Sequence, residues 1–330
     1  MNKSCLIGFL MCSAFSLVVQ AATDGAHITK TISQIERKKG IKRTIQYRPD
    51  GNDFVCVNGK NRYTRALYGG ITDFRIETSD RPVFAAYKPK DSKHICFRLQ
   101  CGNQSIALDS LKFCEARYRA GRRTYRLTDP LLGKGELNIS VLAFPDAEGG
   151  IWRFTMKDMP EGALLHCYIS EIRAKNLSRN GDMGADRADS FDAPQLPKEQ
   201  KHYKLSLDGT TAYIVVEDQE LRLPALVEGT SLYDKSEKWR SEIESSLQIS
   251  TPDPYFNPLG GALAAAADGI WDGKIWLHGA IGVLLISVIL LAGMIGLVRI
   301  SIRMQQVRLR MSLRQYLILH RILLYIWHVR

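Results

Sequence analysis

The sequence predicts a mainly β protein, in which a large antiparallel β-sandwich is followed by a helical linker, the truncated start of an α/α barrel and a hydrophobic C-terminal helix. Three observations support this fold class. Short apolar runs separated by turn residues recur from about 43 to 223, as in antiparallel sandwiches. Helical patterns follow position 226, and a long apolar run begins at 277.

The composition is that of a globular protein. Of the 330 residues, 45% are hydrophobic and 24% are charged, which is sufficient for a packed core. The formal net charge is +11, but the basic residues are spread along the chain, so nucleic acid is not expected as a partner. Neither a cofactor nor a metal is predicted.

Residues 1–22 have the parts of a secretory signal peptide. Lys3 precedes an apolar run at 5–19, and Val19 and Ala21 occupy the small-residue positions before the cleavage site. The mature protein is therefore expected to be exported to the periplasm or the outer surface.

The cysteines that follow this signal are predicted to be buried thiols on strands. Their number is odd and their spacing irregular, which argues against a disulfide framework, and a second pair that would complete a zinc site is missing. They are Cys56, Cys96, Cys101, Cys114 and Cys167.

The sandwich is assigned to residues 40–226. Asp50-Gly51, Asn58-Gly59 and Asp208-Gly209 fall between apolar runs and predict two-residue hairpins. The predicted strands are 44–47, 54–57, 83–87, 95–99, 137–143, 152–156, 164–169 and 213–216.

An insertion at 176–197 interrupts the sandwich. It is rich in Asn, Gly, Asp and Pro, which predicts a long solvated loop. Its carboxylates would also suit calcium, although their spacing is not that of an EF-hand. They are Asp182, Asp186, Asp189 and Asp192.

Arginines surround Gly121 on a predicted strand pair. They could bind an acidic polysaccharide, but outward charges on a solvated sheet face are the simpler interpretation. They are Arg117, Arg119, Arg122, Arg123 and Arg126.

The linker is assigned to residues 231–250. A helical pattern at 231–247 places Leu232, Trp239 and Ile243 near one face, together with Leu247. Further along, Asp253 is predicted to cap a helix that has Pro254 at its first position.

Several long motifs resemble a domain-of-unknown-function family of large exported proteins from gut commensal bacteria. Two of them are RLTDPLLGKG at 126–135 and AFPDAEGG at 143–150. A third, TPDPYFNPLGGA at 251–262, is followed by WLHGA at 276–280. The resemblance covers about 43 to 282.

Members of that family are similar to six-hairpin glycosidases, which implies a β-supersandwich, a helical linker and an (α/α) toroid. The resemblance implies that 251–282 is the first helix of a truncated toroid, and that the partner is a polysaccharide or oligosaccharide. Such glycosidases cleave glycans with two carboxylates on the barrel. Nearly all of that barrel would follow Gly282, so the catalytic residues stay unknown.

The candidate substrate-binding residues are Trp271, Trp276 and His278, because aromatic faces stack on sugars. Packing at the junction of sandwich and barrel is the alternative interpretation. Asp268 and Asp272 flank the first predicted barrel helix and are candidate catalytic carboxylates, although a helix residue and a turn residue explain them more simply.

The segment 283–330 has an unusual composition, because it lacks Asp, Glu, Lys, Asn, Pro and Thr while all 34 acidic residues precede it. We interpret it as out of frame. A one-base shift from Leu291 permits the reading Gly-Trp-His-Asp-Arg-Ala-Arg, which is the type of stretch that continues this family after its His-Gly-Ala motif. Taken literally, 277–298 is an uncharged run long enough to cross a membrane.

Two functions therefore remain open. In the first, the chain is the truncated, inactive N-terminal part of an exported glycoside-hydrolase-like protein of polysaccharide degradation. In the second, it is a single-pass inner-membrane protein whose periplasmic β-sandwich binds glycan or protein.

Overall fold

The computed structural model describes residues 46–88, 92–171 and 202–271. Tyr47 and the described residues that follow it belong to one compact unit.

Several predictions concern residues outside these ranges. They are the signal peptide at 1–22, the loop at 176–197, the apparent membrane helix at 277–298 and the segment 283–330. Among the described residues, no helix is both long enough and apolar enough to span a bilayer.

The strands of the described residues form two antiparallel sheets. The strands are β1 Arg48–Asp50, β2 Asp53–Val57, β3 Arg65–Tyr68, β4 Arg75–Thr78, β5 Phe84–Tyr87, β6 Lys93–Cys101, β7 Gln104–Ala107, β8 Phe113–Arg119, β9 Arg122–Thr128, β10 Glu136–Ala143, β11 Gly149–Lys157, β12 Leu164–Glu171, β13 His202–Ser206, β14 Thr211–Glu217 and β15 Glu220–Arg222. The eight-stranded sheet has the order β1-β2-β8-β9-β10-β11-β14-β15. The seven-stranded sheet has the order β13-β12-β6-β5-β4-β3, with β7 paired to β6.

The core lies between the two sheets, because alternate residues of each strand point toward the facing sheet. Phe84 of the seven-stranded sheet meets Trp152 of the eight-stranded sheet edge to face, with ring centroids 5.7 Å apart. Phe97 meets Phe154 in the same way at 5.5 Å. All four side chains are buried. The predicted mainly β, sandwich-like architecture is therefore confirmed.

The hairpin predictions are confirmed at one position and wrong at two. Asp50-Gly51 begins the turn between β1 and β2, where Gly51 has a φ of 58°. Asn58-Gly59 is not a hairpin, because the chain there passes against the buried Asp80, and a Cβ on Gly59 would lie 2.5 Å from the Asp80 side chain. Asp208-Gly209 instead joins β13 of one sheet to β14 of the other.

The strand pair around Gly121 is confirmed as β8 and β9. Ala120 and Gly121 form its two-residue turn, with φ values of 40° and 87°. Along β9 half-buried and buried residues alternate, so Arg122, Thr124 and Arg126 point outward.

Arg123 contradicts the interpretation that all the arginines near Gly121 are outward charges, because its side chain is fully buried between the sheets. Its Nη2 donates to the Ser79 carbonyl at 2.8 Å and to the Tyr47 hydroxyl at 3.2 Å. Asp80 is equally buried, and its Oδ1 lies 3.8 Å from Arg123 Nη2. The carboxylate also accepts from Asn61 N at 3.0 Å. A buried charge is tolerated here because it is paired and hydrogen-bonded.

The described residues include two α-helices, α1 Leu226–Ser245 and α2 Leu259–Gly269, and two short 3-10 helices, Leu108–Ser110 and Pro130–Leu132. The helical patterns predicted after position 226 therefore did indicate helices.

The predicted buried face of α1 is wrong by about one residue. Its buried residues are Gly229, Tyr233, Ser236 and Arg240, whereas Leu232 is only half-buried. The reason is tertiary: α1 packs on the outward face of the eight-stranded sheet, where Tyr233 meets an apolar cluster and Ser140, and Arg240 donates to the Ala120 carbonyl.

The predicted cap of α2 is also wrong. Asp253 Oδ1 accepts from Tyr255 N at 2.9 Å in a turn, and the helix begins only at Leu259.

The cysteine prediction is confirmed, since all the cysteines in the described residues are free thiols on strands. Cys101 is half-buried and the others are buried. Burial raises the pKa of Cys96 and of Cys114 to about 12 and raises the pKa of Cys167 well above its usual value.

We expect alkylation of the native chain to modify Cys101 first and to leave Cys96, Cys114 and Cys167 unmodified, because a buried thiol with a raised pKa forms little thiolate. Peptide mass spectrometry after iodoacetamide treatment, with and without guanidinium, measures each site. Native modification of Cys114 as fast as that of Cys101 would contradict the packing described above.

Candidate functional site

The outward face of the eight-stranded sheet carries a polar groove. Strand register places Thr124 and Ser140 side by side on β9 and β10, and Arg153 next to Ser140 on β11. The neighbouring row holds Arg126, Asn138 and Thr155. We call this feature the arginine groove. It has a volume of about 330 Å³ and is lined by Glu115, Arg117, Arg122, Thr124, Tyr125, Arg126, Asn138, Ile139, Ser140, Arg153 and Thr155.

Helix α1 contacts the arginine groove from one side, because Tyr233 touches two of the residues that line it. The Tyr233 hydroxyl and Ser140 Oγ are 2.6 Å apart and share a hydrogen bond. The Arg153 guanidinium lies over the Tyr233 ring, 3.9 Å from its centroid. Below the helix, Tyr233 packs in a small apolar cluster with Leu142, Ile151, Tyr213 and Val215, together with Phe144. Tyr233 thus anchors α1 to the sheet beside the groove.

Most arginines of the groove are paired with carboxylates. Arg117 lies within 3.3 Å of three of them, those of Glu115, Asp50 and Asp53. Arg126 bridges Glu115 and Glu136 at 3.3 and 3.4 Å. Hydrogen bonds from Arg117, and also from Arg126, hold the pKa of Glu115 below its usual value. Glu115 is therefore a permanent anion at neutral pH.

Arg153 differs from these arginines. No described residue forms a hydrogen bond or an ion pair with its guanidinium, and its Nε is buried without an acceptor. Its contact with the Tyr233 ring holds the side chain in place. Arg153 is thus a positioned cation that lines the groove and has no protein anion beside it among the described residues.

Ion pairs fasten α1 to the turn between β8 and β9. Arg119 Nε lies 2.7 Å from Glu244, and Arg122 Nη1 lies 2.9 Å from Glu237. Both carboxylates are also paired with Arg240. Burial opposes ionisation of Glu244, but hydrogen bonds from Arg119 and Arg240 outweigh it and lower the Glu244 pKa.

A second pocket of about 430 Å³ lies where α1 ends and α2 begins. Arg119 and Glu244 are among its lining residues, and they neutralise each other. It therefore offers less for recognising a charged ligand than the arginine groove does.

The predicted site residues are only partly within the described residues. Trp271 follows α2, is half-buried, and its carbonyl accepts from Thr72 Oγ1 at 2.6 Å. It does not line the arginine groove. Trp276 and His278 lie outside the described residues, so their role as substrate contacts stays a prediction.

Of the two candidate carboxylates, Asp268 is a residue of α2 and Asp272 lies outside the described ranges. Within those ranges, no group of three or more His, Cys, Asp or Glu side chains is arranged to hold a metal ion.

Sequence reasoning missed Arg153 and Tyr233. The available signal was an arginine in the middle of the apolar run GGIWRFTMK, at an outward position of its strand. Tyr233 gave no signal, because only the packing of α1 brings it to the sheet.

Residues 89–216 match a protein-family model described as a domain of unknown function (DUF4450). The match includes every residue that lines the arginine groove and the motifs at 126–135 and 143–150, but not the one at 251–262. The predicted domain of unknown function is therefore confirmed for this part of the chain. Comparison with curated protein sequences gives no match.

We expect Glu244→Gln to lower the free energy of unfolding by about 1–3 kcal/mol at pH 7, between the values for exposed and buried ion pairs. A carboxylate with a lowered folded-state pKa stabilises the fold above its unfolded pKa of about 4.3, and this contribution is lost as pH falls through the folded value. The difference in the free energy of unfolding between Glu244→Gln and the unmodified chain should therefore become smaller below pH 4.

Urea unfolding from pH 7 to pH 3 measures this effect. Glu242→Gln is the matched control, because Glu242 is exposed on the same helix. Equal losses in the two variants, or a difference that does not depend on pH, would show that Glu244 does not fasten α1.

Proposed function

We propose that this chain is the non-catalytic N-terminal part of an exported protein of polysaccharide degradation, and that its sandwich binds glycan in the arginine groove. The observation that carries the proposal is the groove itself. It combines guanidinium, hydroxyl and amide groups on the face of central strands.

The chemistry of the groove suits sugars. Sugar hydroxyls are both donors and acceptors, and Thr124, Asn138 and Thr155 offer both on adjacent strands. Central strands hold such groups more rigidly than loops do, so less ordering is needed when a ligand binds.

The same groove is poorly suited to hydrolysis. A glycosidase needs a general acid with a raised pKa and a second carboxylate roughly 5–9.5 Å away. Glu115 is the carboxylate that lines the groove, and its pKa is lowered. We therefore propose binding without cleavage.

The proposal extends to the residues after the sandwich. We propose that 251–282 begins an (α/α) toroid similar to that of six-hairpin glycosidases, with Trp271, Trp276 and His278 at its substrate-facing side. The attachment of α1 and α2 to the sandwich supports this, because it gives a toroid a fixed starting point: Gly269 packs against Tyr68, and Gly121 against Ala265.

We further propose that 283–330 is out of frame and that the toroid is truncated. The alternative is a single-pass membrane protein with a periplasmic binding sandwich, which the uncharged run at 277–298 favours. Resequencing of the gene separates the two. A one-base correction that opens a long reading frame supports truncation, whereas an unchanged sequence with a stop codon after Arg330 contradicts it.

Affinity electrophoresis of the detergent-solubilised full chain tests the binding function. We expect retention by at least one soluble polysaccharide and loss of retention in Thr124→Trp, because the indole would fill the centre of the groove. Lys204→Trp, on the outward face of the other sheet, should be retained like the unmodified chain.

Two results would contradict the proposal. One is the absence of retention by every polysaccharide, and the other is unchanged retention of Thr124→Trp. Release of new reducing ends by the purified chain would contradict the non-catalytic assignment separately.

A further inference from the structure

We infer that Arg153 anchors the carboxylate of an acidic sugar, so that the arginine groove recognises uronic-acid-containing glycans. This inference rests on the proposed function and names the class of substrate.

Arg153 is available to pair with a ligand. It lines the groove, and no described residue supplies it with a hydrogen bond or a carboxylate. Its Nε is buried, whereas its two Nη atoms are not, so a ligand in the groove can reach the end of the guanidinium. A planar carboxylate fits a guanidinium because two parallel hydrogen bonds can form.

The Arg153 side chain is also held in place by its neighbours. Its guanidinium stacks on Tyr233, whose hydroxyl is hydrogen-bonded to Ser140. The position of the guanidinium is therefore set before any ligand binds, which lowers the entropic cost of pairing with a carboxylate.

The charges of the groove also distinguish Arg153 from the other arginines. Arg117, Arg122 and Arg126 are each neutralised by carboxylates of the chain, with partners at 2.8 to 3.4 Å. Only Arg153 among the four groove arginines lacks such a partner within the described residues. Among the described residues, the groove thus offers one unpaired cation to a carboxylate of a ligand.

The surroundings of Arg153 favour a sugar over an acidic peptide. Ser140, Thr124 and Thr155 present hydroxyl groups beside it, as a ring with several hydroxyls requires. A peptide could not extend the sheet at this position, because β9, β10 and β11 are already paired on both edges.

Isothermal titration calorimetry of the full chain tests the inference with three probes: trigalacturonate, its fully methyl-esterified form and pentaglutamate. We expect trigalacturonate to bind about 10- to 100-fold more tightly than the ester, which is the range for a hydrogen bond to a charged group. Arg153→Gln should lose this preference, and Arg153→Lys should keep part of it, since lysine retains the charge without the fork.

Arg98→Gln is the matched control, because Arg98 lies on the outward face of the other sheet and donates there to the hydroxyl and the carbonyl of Ser105. It should bind all probes like the unmodified chain. Circular dichroism establishes whether each variant is folded. If Arg153→Gln does not fold, Arg153→Lys still tests the inference.

The outcomes separate the inference from the proposed function. Equal binding of acid and ester, unaffected by Arg153→Gln, overturns the inference but leaves glycan binding intact. Binding of neither sugar here, together with no retention by any polysaccharide in electrophoresis, overturns both. Tighter binding of pentaglutamate than of trigalacturonate overturns the assignment to a sugar.

Discussion

The buried pair of Arg123 and Asp80 is the constraint on which the rest of the structure depends. Arg123 belongs to the eight-stranded sheet, and Asp80 follows β4 of the seven-stranded sheet, so the pair joins the two layers. Tyr47 contacts both charged groups through its hydroxyl. A charge without a partner at this depth would cost several kcal/mol, so the two sheets can pack only when these residues meet.

This pairing also determines which residues face outward. Side chains alternate along a strand, so an inward Arg123 requires Arg122, Thr124 and Arg126 to point to the outside. A slip of one residue would bury those groups and expose Tyr125 and Leu127. The polar surface that we propose as a binding groove is therefore a consequence of the burial of Arg123 on the same strand.

Helix α1 divides the outward surface into two parts. Where Leu142, Ile151 and Val215 face outward, the helix covers them. Where the outward residues are polar, the sheet stays open and becomes the arginine groove. Tyr233 stands at the boundary and contributes to both parts, since its ring packs in the apolar cluster and its hydroxyl bonds Ser140.

Sequence patterns predicted the elements better than their partners. The strands β8 and β9 were predictable from the turn at Gly121, because a turn depends on local sequence. The cysteines could be predicted to be free thiols because their number is odd and their spacing irregular. The burial of Arg123 was not predictable, because its partner Asp80 is distant in sequence and a buried arginine looks like an exposed one. The same holds for α1, whose polar buried face at Ser236 and Arg240 reflects the surface on which it packs.

Arg153 illustrates the same limit for the candidate site. Its outward position followed from strand alternation, but its lack of a carboxylate partner depends on residues of other strands and of α1. The aromatic candidates after α2 were predicted from the sequence. The groove could be recognised only once the packing of the strands and of α1 was known. Of these candidates, Trp271 does not line the groove.

A double-mutant cycle on Asp80→Asn and Arg123→Met tests most directly whether the buried pair holds the sheets together. We expect each single substitution to lower the free energy of unfolding by about 3–5 kcal/mol, because it leaves the other charged group buried without its partner. The double variant should lose clearly less than the sum, by about 1–3 kcal/mol. If the losses in unfolding free energy simply add, without coupling between the two positions, this pair does not hold the sheets together.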